Sequence, residues 1–195
     1  MKRLLLTASL AASAVLPSAV HAQAIPGAVI AIVDLEKVTS TCNACKTASA
    51  ALRSQATALQ TRQQALATPL QTEQKSIQAA IDALNGKEPD AALKNRVQAF
   101  QTKEQQAAQE LQTQQTQVQR NQAYIQKQIS DKLGPIYTQV MQRRGANILM
   151  EVGATLATSR TIDVTNDVLT ALNTAMPSVS TTAPAQAQQQ QPQGR

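Results

Sequence analysis

Aromatic residues, the usual filling of folded domains, make up only 2% of this 195-residue chain, and tryptophan is absent. Aromatic side chains supply much of the buried area of a compact core, so a globule of average construction is excluded. Histidine occurs once, at His21. The two cysteines, Cys42 and Cys45, have no second Cys or His pair to complete a four-ligand zinc site. No Ser/His/Asp arrangement, glycine-rich phosphate loop or carboxylate cluster suited to acid–base work stands out. The chain reads as a non-enzyme with no cofactor and no metal. What it does have is alanine, the strongest helix former, within an apolar fraction of 43%. The expected product is long helix with a thin seam of buried side chains.

The first residues form a class of their own. Lys2 and Arg3 precede the apolar run LLLTASLAASAVL, followed by Pro17 and the small-residue site Val20-His21-Ala22. This is the pattern of an export signal over residues 1–22, with cleavage after Ala22 and Ala24 as second choice. The run is too short and too rich in Ser and Thr for a membrane span. Cleavage removes His21, and loss of Lys2 and Arg3 takes the net charge from +6 to +4. A modest positive balance suits acidic polypeptides or anionic lipid headgroups, and nucleic acid is not an expected partner of an exported chain.

The mature sequence opens on a β-branched apolar stretch that predicts a strand near residues 28–35. Helical composition follows over about 41–144. Leu52, Leu59 and Leu66 recur on one heptad track and Ala56, Leu70, Ile77 and Leu84 on the other, with Gln63 and Glu73 intruding on core positions. Pro69 lies inside this helix and predicts a kink. Asn85-Gly86 supplies left-handed geometry to end the helix, while Pro89 and Asp90 suit the start of the next. Residues 84–90 are therefore the tip of an antiparallel helical hairpin. Its returning arm carries Leu93, Val97, Phe100, Ala107, Leu111, Val118, Ile125 and Ile129 on the seam.

Gly134-Pro135 is expected to break or bend that arm, and Gly145 to cap it. Two further strands are expected within 147–162, over residues 147–153 and 154–159. A final helix follows over about 165–174 with Thr165 as N-cap, and a low-complexity disordered tail over 177–195. The fold class is α+β: a small β body with a long projecting antiparallel α-helical hairpin. Three short strands and one helix are too little to be stable alone, so the body is expected to self-associate. Ile30, Ile32, Leu149 and Val152 are the residues expected to form the shared core.

The start VIAIVDLEKV and the closing order of helix, Gly, strand, turn, strand, D-V-T and final helix resemble the Skp/OmpH family of periplasmic chaperones. The resemblance spans residues 23–176. It implies a homotrimer whose β bodies form an oligomeric barrel. It also implies three helical arms enclosing a cavity for unfolded outer-membrane proteins, an ATP-independent holdase of the periplasm. A coiled-coil structural adaptor of the cell envelope is the alternative.

Two features stand beside this reading. Cys42-Asn43-Ala44-Cys45 follows a strand and opens a helix. A local disulfide in an oxidising compartment is the preferred reading, with a redox-active C-x-x-C and zinc as the others. Lys87, Lys94, Arg96 and Lys103 cluster near the hairpin tip. They form either a solvated helix surface, interleaved with Glu88, Asp90 and Glu104, or a basic surface for acidic clients, anionic lipid or lipopolysaccharide.

Overall fold

The computed structural model describes residues 26–185. The predicted export signal over 1–22 and residues 186–195 of the tail lie outside the described residues.

Strand β1 (Ile30–Val33) pairs in parallel with β2 (Ile148–Glu151), in the register Ile30↔Ile148 through Val33↔Glu151. Parallel neighbours need a crossover connection, and here the entire hairpin is that crossover. Asn147 fixes the register. Its Oδ1 accepts the Val29 N–H at 2.7 Å while its Nδ2 donates to the Gly27 carbonyl at 2.8 Å.

The third strand expected over 154–159 does not form. Instead, the Glu151 carboxylate accepts the Gly153 N–H, closing a 3-10 turn over Val152–Ala154 where a strand would have to begin. The chain then makes a second 3-10 turn, Arg160–Ile162, and returns to the sheet in a single parallel bridge between Ile32 and Asp163. Leu156, in the middle of the expected strand, projects fully into solvent.

Helix begins earlier than predicted. Asp34 caps α1 (Leu35–Thr41) by accepting the Lys37 N–H at 2.7 Å. Extended geometry at Cys42 separates α1 from the long α2 (Asn43–Asp82), about 60 Å at 1.5 Å per residue. Helix α2 is continuous through Pro69, and α3 (Ala91–Arg144) through Gly134-Pro135, so the latter pair does not break the arm. At the tip Asn85 and Gly86 take φ of 49° and 85°, the left-handed pair the sequence asks for. Asp90 caps α3 through the Leu93 N–H at 2.8 Å, and Pro89 sits just before that cap rather than in the first turn. Gly145, at φ 67°, ends α3, with the Ala146 N–H reaching back to the Met141 carbonyl at 2.9 Å.

Helix α4 (Thr165–Ala175) corrects another expectation. Its N-cap is Val164, without a side-chain cap bond, and Thr165 is already helical. The Thr165 N–H is taken by the Asp163 carboxylate at 2.8 Å, and the Thr165 hydroxyl serves a different donor, Asp34.

The core lies at the base of the hairpin. Ala31 and Val33 of β1, Val38 of α1, Ala44 and Cys45 of α2, Leu133, Ile136 and Val140 of α3, and Val168 and Leu172 of α4 form one buried cluster. Val38, Val140, Val168 and Leu172 are fully buried, each contributing roughly 1.5–3 kcal/mol. Further out, burial thins to Ile77, Phe100 and Ala107. Ala56 and Gln63 are exposed; Gln55 turns inward in place of Ala56 and accepts from Asn121 Nδ2 at 2.8 Å.

The tail is the last correction. Residues 177–185, read from composition as disordered, run back along α2 and α3. Met176 is buried and Val179 packs against the core, while Ser180, Thr181, Ala183 and Pro184 bond to arm side chains. Polar side chains on the arms supply what the tail's own weak hydrophobicity does not.

Candidate functional site

The four basic residues near the tip divide into two pairs. Lys103 donates to Glu73 on the opposite arm at 2.7 Å, which also explains how a glutamate is tolerated on the seam. Arg96 donates to the Ser76 hydroxyl, again across the arms, at 2.8 Å. Lys87 and Lys94 are exposed, and among the described residues neither has a salt-bridge partner. Lys94 stands at the edge of an open groove of about 380 Å³ floored by Ile81, Pro89, Leu93 and Val97.

Below the tip a second groove of about 400 Å³ opens between the arms at Leu66, Pro69, Leu70 and Ala107. Glu73–Lys103 borders it on one side and Arg62–Glu110 on the other, a bidentate pair at 2.6 and 2.9 Å. The hydrogen bond from Arg62 holds the Glu110 carboxyl below its ordinary value, and the same bond raises the guanidinium. At the hairpin base a third groove, about 540 Å³, is lined by Leu35, Leu52, Ile125, Ile129, Leu133 and Tyr137. Burial pushes the Tyr137 hydroxyl up. Three grooves along one stalk, each apolar and rimmed by polar or charged groups, can hold apolar side chains of an extended polypeptide without reading a sequence.

The sheet has two different faces. Side chains alternate along a strand, and in the parallel register Ala31, Val33 and Leu149 share the face that packs on the core. Ile30, Ile32, Ile148 and Met150 share the other. There Ile30 and Ile148 are each 40% exposed, with Val29 at 50% beside them, while Ile32 is buried. Within one chain, the four residues expected to supply the core shared between copies lie in three different places. Ile30 and Ile32 lie on the face away from the core, Ile30 exposed and Ile32 buried there, Leu149 packs inside its own subunit, and Val152 sits half-buried in the turn after β2.

Cys42 and Cys45 are joined in a disulfide, with Cα atoms 5.1 Å apart. Cys42 Sγ accepts the Cys45 N–H at 3.0 Å and so caps α2. Both residues are buried in the core cluster, which leaves a substrate thiol no approach to either sulfur. Among the described residues no helix is long and apolar enough to cross a membrane.

The residues that sequence reasoning missed lie on the hairpin beneath the tail: Gln55, Arg120, Asn121 and Gln128. In a chain so rich in glutamine, nothing in the sequence marks these from their neighbours.

The fold resembles the crystal structure of an OmpH-like protein from Caulobacter crescentus CB15, assigned as an outer membrane chaperone. The TM-score is 0.68 and the identity 20%, over 88% of this chain and 98% of that one. No curated protein sequence matches this chain. Residues 29–172 match the family described as outer membrane protein (OmpH-like), and the chain belongs to that family.

Proposed function

We propose that the protein is an ATP-independent holdase chaperone of the periplasm, and that it gathers unfolded outer-membrane proteins among the helical arms of a homotrimer. One observation carries this reading. Long, thinly packed arms with open apolar grooves project from a small body whose sheet leaves Ile30 and Ile148 uncovered. Membership in the OmpH-like family supports a chaperone role in general. The open sheet face is the surface on which copies of the body would close into a barrel. The N-terminal signal pattern supports the periplasm, and the exposed Lys87 and Lys94 suit acidic client segments, anionic lipid or lipopolysaccharide.

The test uses the mature chain and an unfolded outer-membrane β-barrel diluted from urea. Turbidity should stay low without nucleotide once one oligomer is present per client. Unchanged aggregation at excess protein would refute the holdase reading. Light scattering should give three times the monomer mass, and Ile30→Asp should lower it to the monomer by forcing a charge into an apolar interface.

A further inference from the structure

We infer that Gln55, Arg120, Asn121 and Gln128 form a peptide site on the arms that reads the backbone of a segment outside helix and strand, and that the chain's own Ser180–Pro184 segment occupies it in place of another polypeptide. Beneath the tail, the side chains of the site also brace one another. Asn121 is 4% exposed. Its Oδ1 accepts from Gln117 at 2.7 Å and its Nδ2 donates to Gln55 Oε1 at 2.8 Å, which turns the Gln55 Nε2 outward. Side chains already fixed by one another lose little freedom on binding.

Every hydrogen bond the tail makes to these groups ends on its backbone. Gln128 grips Ser180 at two points, donating to the carbonyl at 2.9 Å and accepting the N–H at 3.0 Å, as a neighbouring strand would. Gln55 donates to the Thr181 carbonyl at 3.1 Å, Asn121 accepts the Ala183 N–H at 2.8 Å, and Arg120 donates to the Pro184 carbonyl. Val179, Thr181 and Ala183 face the arms while Ser180, Thr182 and Pro184 are exposed. Thr181 and Thr182 form a bend, with the Ser180 hydroxyl donating to the Thr182 carbonyl at 3.1 Å, so the segment lies on the arms as a bent, irregular ligand. The ligand class is therefore a polypeptide segment without regular secondary structure, free to bend and carrying small or β-branched side chains at alternate positions, which an unfolded precursor also offers. In this the inference rests on the holdase reading and adds a gate to it: the tail must leave before a client segment can bind here.

A tethered segment competes at high effective concentration, and removing it exposes the site. The chain ended after Val179 keeps Met176 and Val179 in the core. A fluorescein-labelled peptide of residues 177–185, PSVSTTAPA, should bind this shortened chain at least about tenfold tighter than the full chain. A peptide keeping the valine and both prolines in place, with the other residues permuted, should bind within about threefold of it, because the bonds fall on backbone. Gln128→Ala in the shortened chain should weaken both. Equal binding to the two chains, or none to either, would overturn the proposal and leave the tail a structural strap.

Hydrogen exchange on the full chain does not depend on the shortened form folding. The Ser180 and Ala183 amides should lose protection on Gln128→Ala and again as unlabelled peptide saturates the protein. Unchanged protection under peptide would equally overturn the site. Neither readout involves aggregation. A protein that fails to protect a barrel yet exchanges its tail for peptide would refute the holdase and keep the site; the reverse pattern would do the opposite.

Discussion

The hydroxyl of Thr165 accepts the backbone N–H of Asp34 at 2.9 Å, across 131 positions of sequence. Asp34 is the residue between the end of β1 and the start of α1, and Thr165 opens α4, so this bond ties the first element of the body to the last. The same residue places its own N–H on Asp163, the residue that bridges to Ile32. A side chain expected to cap its own helix is instead spent on joining the two ends of the fold.

Thr165→Val keeps the shape and removes the acceptor. The part-buried Asp34 N–H then has no partner, a loss of about 1–3 kcal/mol. Urea denaturation should show it as a lower midpoint with an unchanged slope, and Thr165→Ser should recover most of it. An unchanged midpoint for the valine variant would mean that water satisfies Asp34.

Asp163 gives this junction a pH dependence. The Thr165 side chain first, then the Thr165 N–H, holds the Asp163 carboxyl below its ordinary 3.8; the nearby Lys37 charge adds to this, and burial opposes it. A carboxyl depressed on folding stabilises the fold in full above the unfolded value. It loses that contribution as pH falls through the folded one. Stability should therefore be flat in this group near neutrality and fall below about pH 3.8. Asp163→Asn should flatten that acid limb by lowering the neutral-pH midpoint toward the wild type's acid value, since the amide keeps the Thr165 N–H but not the charge. Melting curves between about pH 2 and 7 decide it, and an identical acid limb in the variant would assign the loss elsewhere.

The Cys42–Cys45 bridge closes a ring of few residues, for which loop-closure entropy gives only about 2 kcal/mol. Cys42→Ala with Cys45→Ala should lower stability by about that much and leave α2 formed. Because both residues are buried, reduction of the native protein should proceed at the rate at which the body opens. Subdenaturing urea should accelerate it steeply. Rapid reduction that urea does not affect would place the sulfurs in reach of solvent.

The hairpin was legible because its determinants are local. Asn85-Gly86 and Asp90 demand their geometry whatever surrounds them, and Ile77, Phe100 and Ala107 keep the seam period. The third strand was not, because ATLATS has strand composition while its path is set by the Glu151 carboxylate closing a turn before it. Helix α1 was hidden by Val38, Thr39, Ser40 and Thr41, all weak helix formers. The Asp34 cap, burial of Val38 and the Thr39 hydroxyl bonded back to the Leu35 carbonyl at 2.8 Å accompany the helix there. For the tail, composition predicts disorder because it registers side chains, whereas the observed hydrogen bonds to the arms use backbone. The basic cluster was found, but whether a lysine was free or engaged across the arms depended on Glu73 and Ser76, some twenty to thirty positions away.

That division of the basic cluster yields the last prediction. Lys87 and Lys94 are exposed at the tip, whereas Lys103 and Arg96 bind the opposite arm. Exposed charges accelerate encounter and are screened over about 10 Å at 0.1 M salt, and their removal acts mainly on association. Lys87→Glu with Lys94→Glu should slow capture of an acidic unfolded barrel severalfold at low salt, with the difference closing as salt rises and the dissociation rate nearly constant. Lys103→Glu sets two carboxylates face to face across the arms and should instead loosen the hairpin. It should do so as faster amide exchange around Phe100 and Ala107, with a smaller effect on encounter than the tip pair. Stopped-flow binding and hydrogen exchange on the same proteins separate the two effects. Equal slowing by both changes, with no rise in exchange for Lys103→Glu, would show that all four charges act as one solvated field and that the Glu73 contact ties nothing.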